Sequence, residues 1–126
     1  MNLNPIGSWE LESFEIDSPE KGKRPWGTNA RGLLIYSATG HVSVAINKDI
    51  VSTGNPENDL IDSILFYAGT YLLEENCIRH QVTLASNSSR VGKQMVRFAS
   101  LNGDLLTITT PQESYGKATI VWRKIS

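Results

Sequence analysis

A chain of 126 residues with 12 basic and 13 acidic side chains has a net charge of −1, which leaves no basic footprint for nucleic acid. Hydrophobic residues make up 40% and charged residues 20%, the balance of a globular core rather than of a disordered segment. The length suits one domain over residues 1–126, no apolar run is long enough to span a bilayer, and the scattered Lys and Arg form no membrane-surface patch.

The segment Met1 to Ile6, with Asn2, Asn4 and Pro5, has neither a basic leader nor an apolar block, so no signal peptide is expected. Cys77 is the only cysteine; an intrachain disulfide is impossible, as suits a reducing, cytoplasmic setting. Gly7-Ser8-Trp9 opens a first strand running to about Ile16. A buried tryptophan covers roughly 150–250 Å², enough to tie a terminal strand down. Trp9 and Leu11 share one face of this strand, whereas Phe14 and Ile16 share the other. An apolar face changes parity only with an extra residue, so a bulge is predicted near Glu12-Ser13.

Residues 17–29, punctuated by Pro19, Gly22, Pro25 and Gly27, read as a loop. Residues 32–36 and 41–47 form a hairpin around Ala38-Thr39-Gly40. Asn55-Pro56-Glu57 has the features of a helix start, a capping Asn with Pro and acids behind it. Leu60, Ile61, Ile64 and Leu65 fall on one helical face, so the helix would lie on the barrel or across its mouth. Further strands are read over 66–74, 77–85, 92–101, 104–110 and 117–125, with polar turns at 75–76 and 87–90. Asn102-Gly103 is the strongest hairpin dipeptide, and Pro111 to Gly116 reads as a loop. Eight strands joined mostly by hairpins predict an all-β, up-and-down antiparallel barrel, with one short helix between strands 3 and 4. An open sandwich is the alternative.

Several stretches in order resemble the lipocalin-like domain family of the calycin superfamily. They are Gly7-Ser8-Trp9-Glu10-Leu11, Gly32-Leu33-Leu34-Ile35-Tyr36 with Gly40-His41-Val42-Ser43-Val44, and Tyr67-Ala68-Gly69-Thr70-Tyr71. His80, Gly92 with Val96-Arg97, Leu105-Leu106-Thr107 and Val121-Trp122-Arg123 follow. The resemblance implies an eight-stranded calycin barrel with a small internal cavity. It also implies a closed end built at Gly7 and Trp9, with Trp9 crossed by Arg123 from the last strand.

His80 alternates with Ile78, Val82 and Leu84, so it points inward. It is either a core histidine hydrogen-bonded to a Tyr or a carbonyl, or a ligand contact and proton carrier. The face of Arg97 is open from sequence. Inward, it needs an acid, with Glu15 a candidate, or an anionic ligand such as a carboxylate or phenolate. Tyr36, Tyr67 and Tyr71 are candidate cavity hydroxyls, as filler or as ligand contacts. Tyr67 and Tyr71 share a face, with Gly69 between them leaving room for a ligand or a neighbouring ring. Two His and one Cys without close spacing make a metal site unexpected, and no cofactor motif is present.

The expected function is binding of a small hydrophobic or aromatic molecule in the barrel, by Tyr36, Tyr67, Tyr71, His80 and Arg97. The alternatives are a cavity enzyme (an isomerase, cyclase or dehydratase with His80 or Arg97 as catalytic candidates) and an interaction module with a filled barrel. Neither nucleic acid nor membrane is an expected partner.

Overall fold

The computed structural model describes residues 3–113 and 116–126; residues 1–2 of the amino-terminal segment and 114–115 of the expected loop lie outside these. Among the described residues nine antiparallel strands and one short α-helix follow in the order β1 (Gly7–Ser18), β2 (Gly22–Pro25), β3 (Arg31–Tyr36), β4 (His41–Asn47), α1 (Pro56–Asp62), β5 (Ile64–Leu73), β6 (Cys77–Ala85), β7 (Gln94–Asn102), β8 (Leu105–Thr109) and β9 (Lys117–Lys124). Neighbours from β3 to β9 pair in sequence, and β1 pairs with both β3 and β9. Eight strands therefore close into a barrel, with β2 paired to β1 alone.

The ninth strand is β2, in a segment whose Pro and Gly content reads as loop. It pairs with the second half of β1, Glu15 opposite Pro25 and Ser18 opposite Gly22, while β3 pairs with the first half, Gly7 opposite Tyr36. Pro25 is tolerated at the end of so short a ladder, where it has no donor to supply. This extra strand shifts the count, so the helix lies before β5, between β4 and β5, and not between the third and fourth strands.

β1 changes face where its apolar pattern requires. Its register against β9 runs Leu11 to Trp122 and then Ser13 to Val121, so Glu12 is the extra residue of a bulge. One strand thereby buries Trp9 in the core on one side of the bulge and Phe14 on the other.

Helix α1 begins as its sequence dictates. The Asn55 side chain accepts the backbone N–H of Asn58, and Pro56 occupies the first turn. It ends at Asp62, too early for a lengthwise apolar face: Ile64 and Leu65 belong to β5. Leu60, Ile61 and Ile64 are exposed, and the helix residue that is buried is Asp59. Its carboxylate accepts the backbone N–H of Thr53 at 2.9 Å and the Thr53 hydroxyl, so a polar tie holds the loop before α1 against the helix.

Gly69 sits where the β5–β6 register shifts, after Ala68. A Cβ here would collide with the backbone carbonyl of Gln81 on β6. The glycine thus admits a neighbouring strand, not a ligand or a ring. Gly69→Ala is expected to cost about 1–3 kcal/mol by overpacking, read as a lower denaturant midpoint with an unchanged slope.

Candidate functional site

The core is continuous from Trp9 and Trp122 through Leu34, Ile46, Val82 and Leu106 to Tyr36, Tyr67 and Tyr71. Inside it lies a cavity of about 210 Å³, on the side of the β1 bulge away from Trp9. Phe14 and Ile16 of β1, Val44 and Ile46 of β4, and Ala118 and Ile120 of β9 supply apolar walls, because alternate residues of each strand face inward. Trp26 closes one side. Its ring stacks on Phe14 at 4.9 Å between centroids and 12° between planes, and Lys48 Nζ lies 4.3 Å from its centroid.

The polar groups lining this space are Tyr67, Thr110, Arg90 and Arg97. Arg97 is buried, 8% exposed, and faces inward with Met95, Ala99 and Leu101 of the same strand. Its guanidinium donates to the backbone carbonyl of Val96 at 3.1 Å and to Met95 Sδ at 3.6 Å. Arg90, at the end of a 3₁₀ turn over residues 88–90, reaches the same sulfur at 3.9 Å. Glu15, the acid suggested for Arg97, instead pairs with Lys23 at 3.7 Å. Among the described residues, the ion pairs are Lys23–Glu15, Arg79–Glu74 and Arg123–Glu12, none involving Arg90 or Arg97.

His80, Tyr36 and Tyr71 lie deeper and do not line the cavity; Tyr67 connects them to it. His80, 1% exposed, bridges two phenols, Tyr36 Oη at 2.7 Å from Nε2 and Tyr67 Oη at 2.7 Å from Nδ1. Burial, reinforced by the positive charge of Arg97, lowers the His80 pKa from 6.5 to about 3. A neutral imidazole has one donor and one acceptor nitrogen. One phenol therefore donates to the ring and the other accepts from it. Burial, with a further contribution from Tyr67, drives the Tyr36 pKa well above 10, so that phenol stays protonated. Tyr71 donates its hydroxyl to the Ser37 carbonyl at 2.7 Å and packs edge-on against Tyr36. His80 is thus a core histidine held by tyrosines, one of the two roles its sequence pattern allows.

The closed end departs from what the family resemblance implies. Trp9 is fully buried and donates Nε1–H to the Pro5 carbonyl at 2.8 Å. The cation over its ring is Lys124, with Nζ 5.6 Å from the centroid. Arg123 turns outward and makes a two-pronged pair with Glu12, at 3.0 and 3.2 Å. The alternation of β9 is the reason: Trp122 points in, so Arg123 must point out, toward the carboxylate that the bulge presents. Gly7 fits its place at the seam. Its φ is +137°, and a Cβ would run into the Ser126 carbonyl, next to the backbone bonds that join Ser8 to Ser126 and Ile125 to Ser8.

Sequence reasoning missed Phe14, Trp26, Arg90 and Thr110 as cavity residues. Trp26 carried a usable signal, an aromatic ring inside a Pro-Gly loop; Arg90, in a polar turn, carried none. Among the described residues no cluster of His, Cys, Asp and Glu could hold a metal, and no helix is long and apolar enough to cross a membrane.

A closed eight-stranded antiparallel barrel around a small, largely apolar cavity defines a calycin-type fold. The chain belongs to the lipocalin-like domain family, whose family model matches residues 6–125. In three dimensions it is similar to a redesigned β-barrel, with 8% identity over 96% of this chain and 91% of that one and a TM-score of 0.51. A de novo designed fluorescence-activating β-barrel gives 12% identity over 95% and 93% of the two chains, with a TM-score of 0.48. Fatty-acid-binding protein 1 of Echinococcus granulosus gives 13% identity over 97% and 98%, with a TM-score of 0.47. At 8% identity the likeness to the redesigned barrel is one of fold alone. No curated protein matches the chain in sequence.

Proposed function

We propose that this barrel binds a small hydrophobic or aromatic molecule in the cavity bounded by Phe14, Trp26, Ile46, Tyr67 and Arg97. The observation carrying this reading is the cavity itself, about 210 Å³ with mainly apolar walls and polar groups at a few positions, the composition of a small-molecule site. Sites for drug-sized ligands run to roughly 300–1,000 Å³, so the occupant here has one or two rings. Binding is favoured over catalysis because His80 is neither in the cavity nor basic. An imidazole with a pKa of about 3 is a poor proton acceptor near neutrality. A cytoplasmic setting is part of the same reading, supported by a single, buried cysteine.

Trp26 lines the cavity, so its fluorescence reports occupancy. Saturable quenching by the neutral probe 2-naphthamide is expected. Ala118→Phe should weaken that binding at least tenfold, because the new ring fills the space beside Phe14 and Ile120. Binding unchanged by this substitution would place the probe elsewhere and overturn the reading.

A further inference from the structure

Two cations converge on the cavity, and among the described residues neither makes an ion pair; Glu113 shares an adjoining groove with both but does not line the cavity. Arg97 is buried, and among the described residues its hydrogen bonds go to the Val96 carbonyl and the Met95 thioether. Arg90 points at the same sulfur from the 3₁₀ turn. A thioether is a weak acceptor, so Arg97 holds one of its two hydrogen bonds weakly and has no anion among its hydrogen-bond partners. A buried charge without a counter-charge is destabilising. The lining also includes Tyr67 and Thr110, whose hydroxyl accepts the backbone N–H of Ala118 at 2.9 Å. Positive charge and hydroxyls thus border one side of a space whose other walls are Phe14, Trp26, Ile46 and Ile120.

We infer that the ligand is an anion, a one- or two-ring apolar body bearing a carboxylate, with the carboxylate on Arg97 and Arg90 and the ring against Trp26 and Phe14. This rests on the cavity reading above and narrows it from hydrophobic molecules in general to amphipathic acids. A planar guanidinium is suited to a carboxylate, taking it two-pronged, and the low-dielectric surroundings of Arg97 strengthen the contact. Arg90, half-buried at the rim, adds charge and steers the anion inward.

The test compares 2-naphthoate with 2-naphthamide, which have the same ring system and a head group of similar shape but differ in charge. Isothermal titration calorimetry at pH 7 is expected to show the acid binding at least tenfold more tightly than the amide, the ratio a charge-assisted hydrogen bond supplies. In Arg97→Met this ratio should collapse toward one while amide binding persists. The same variant without ligand should melt at or above the wild-type temperature, since the substitution removes an uncompensated buried charge and keeps the side chain's bulk. Equal affinity of acid and amide for the wild type would overturn the inference and leave the cavity reading standing. Loss of saturable binding for both probes would overturn the two together. An Arg97→Met protein that melts well below wild type would identify Arg97 as a structural cation and also overturn the inference.

Discussion

Acidification from pH 7 to pH 4 is expected to remove about 3 kcal/mol of folding stability through His80 alone. The imidazole is buried between Tyr36 on β3 and Tyr67 on β5, with Arg97 on β7 the nearby charge, and its pKa falls from 6.5 to about 3 in the fold. The unfolded chain therefore takes up the proton first as pH drops through 6.5, while the folded protein refuses it until about pH 3. Stability from this group is complete above pH 6.5 and is lost below it, by about 2 kcal/mol at pH 5 and about 3 kcal/mol at pH 4. Against a total of roughly 5–15 kcal/mol for a domain this is a large share. Denaturant unfolding at pH 7, 5.5 and 4, with His80→Gln alongside, checks the expectation. The variant has a donor and an acceptor but does not titrate, so its midpoint should fall less steeply between pH 7 and 5, above the range of most carboxylates. Parallel midpoints for the two proteins across that interval would show that His80 is not the titrating group.

The same buried imidazole shows how far sequence can be read. Its inward face was legible from strand alternation, because period two is a local property of the backbone. The β1 bulge was legible for the same reason: Trp9-Leu11 and Phe14-Ile16 cannot share a face without an extra residue. That both His80 nitrogens meet phenols, from residues 44 positions before it and 13 positions before it, depends on barrel register, which no local pattern contains. The β2 strand was missed because its pairing depends on β1 lying alongside; Gly22-Lys23-Arg24-Pro25 carries no strand preference of its own. The helix was legible at its amino end, where Asn55 and Pro56 act locally, and not at its carboxyl end, where Ile64 and Leu65 are taken by β5.

At the cavity the division is similar. Tyr67 and Arg97 were candidates in the sequence and line the space, whereas Tyr36, Tyr71 and His80 share an inward face with them but lie deeper. Facing inward and reaching a cavity are different properties in a closed barrel, since depth along the axis is set by strand stagger. Arg90 is the clearest case. It belongs to a solvent-rich turn and acquires its role only because that turn folds over β6 and brings the guanidinium to Met95.

Replacing Trp9 with alanine is expected to cost about 3–5 kcal/mol, as large-to-small changes of buried aromatic residues do. The ring is fully buried and its Nε1–H satisfies the Pro5 carbonyl, so the substitution leaves both a void and an orphaned acceptor. Thermal unfolding should show a fall of roughly 10–20 °C. Trp9→Phe separates the two contributions, because it keeps most of the volume and loses the donor; about 1–3 kcal/mol is expected from the unpaired carbonyl. Arg123→Ala supplies the contrast. Its pair with Glu12 is exposed to solvent, where such pairs contribute little, so its melting temperature should stay close to wild type. A large loss on Arg123→Ala would mean that the cation at the closed end is Arg123 after all and that Lys124 is incidental. Neither Trp9 nor Arg123 lines the cavity, so any variant that remains folded should bind 2-naphthamide with unchanged affinity. Stability lost at the floor without binding lost above it would show that the two ends of β1, divided by its bulge at Glu12, serve separate purposes.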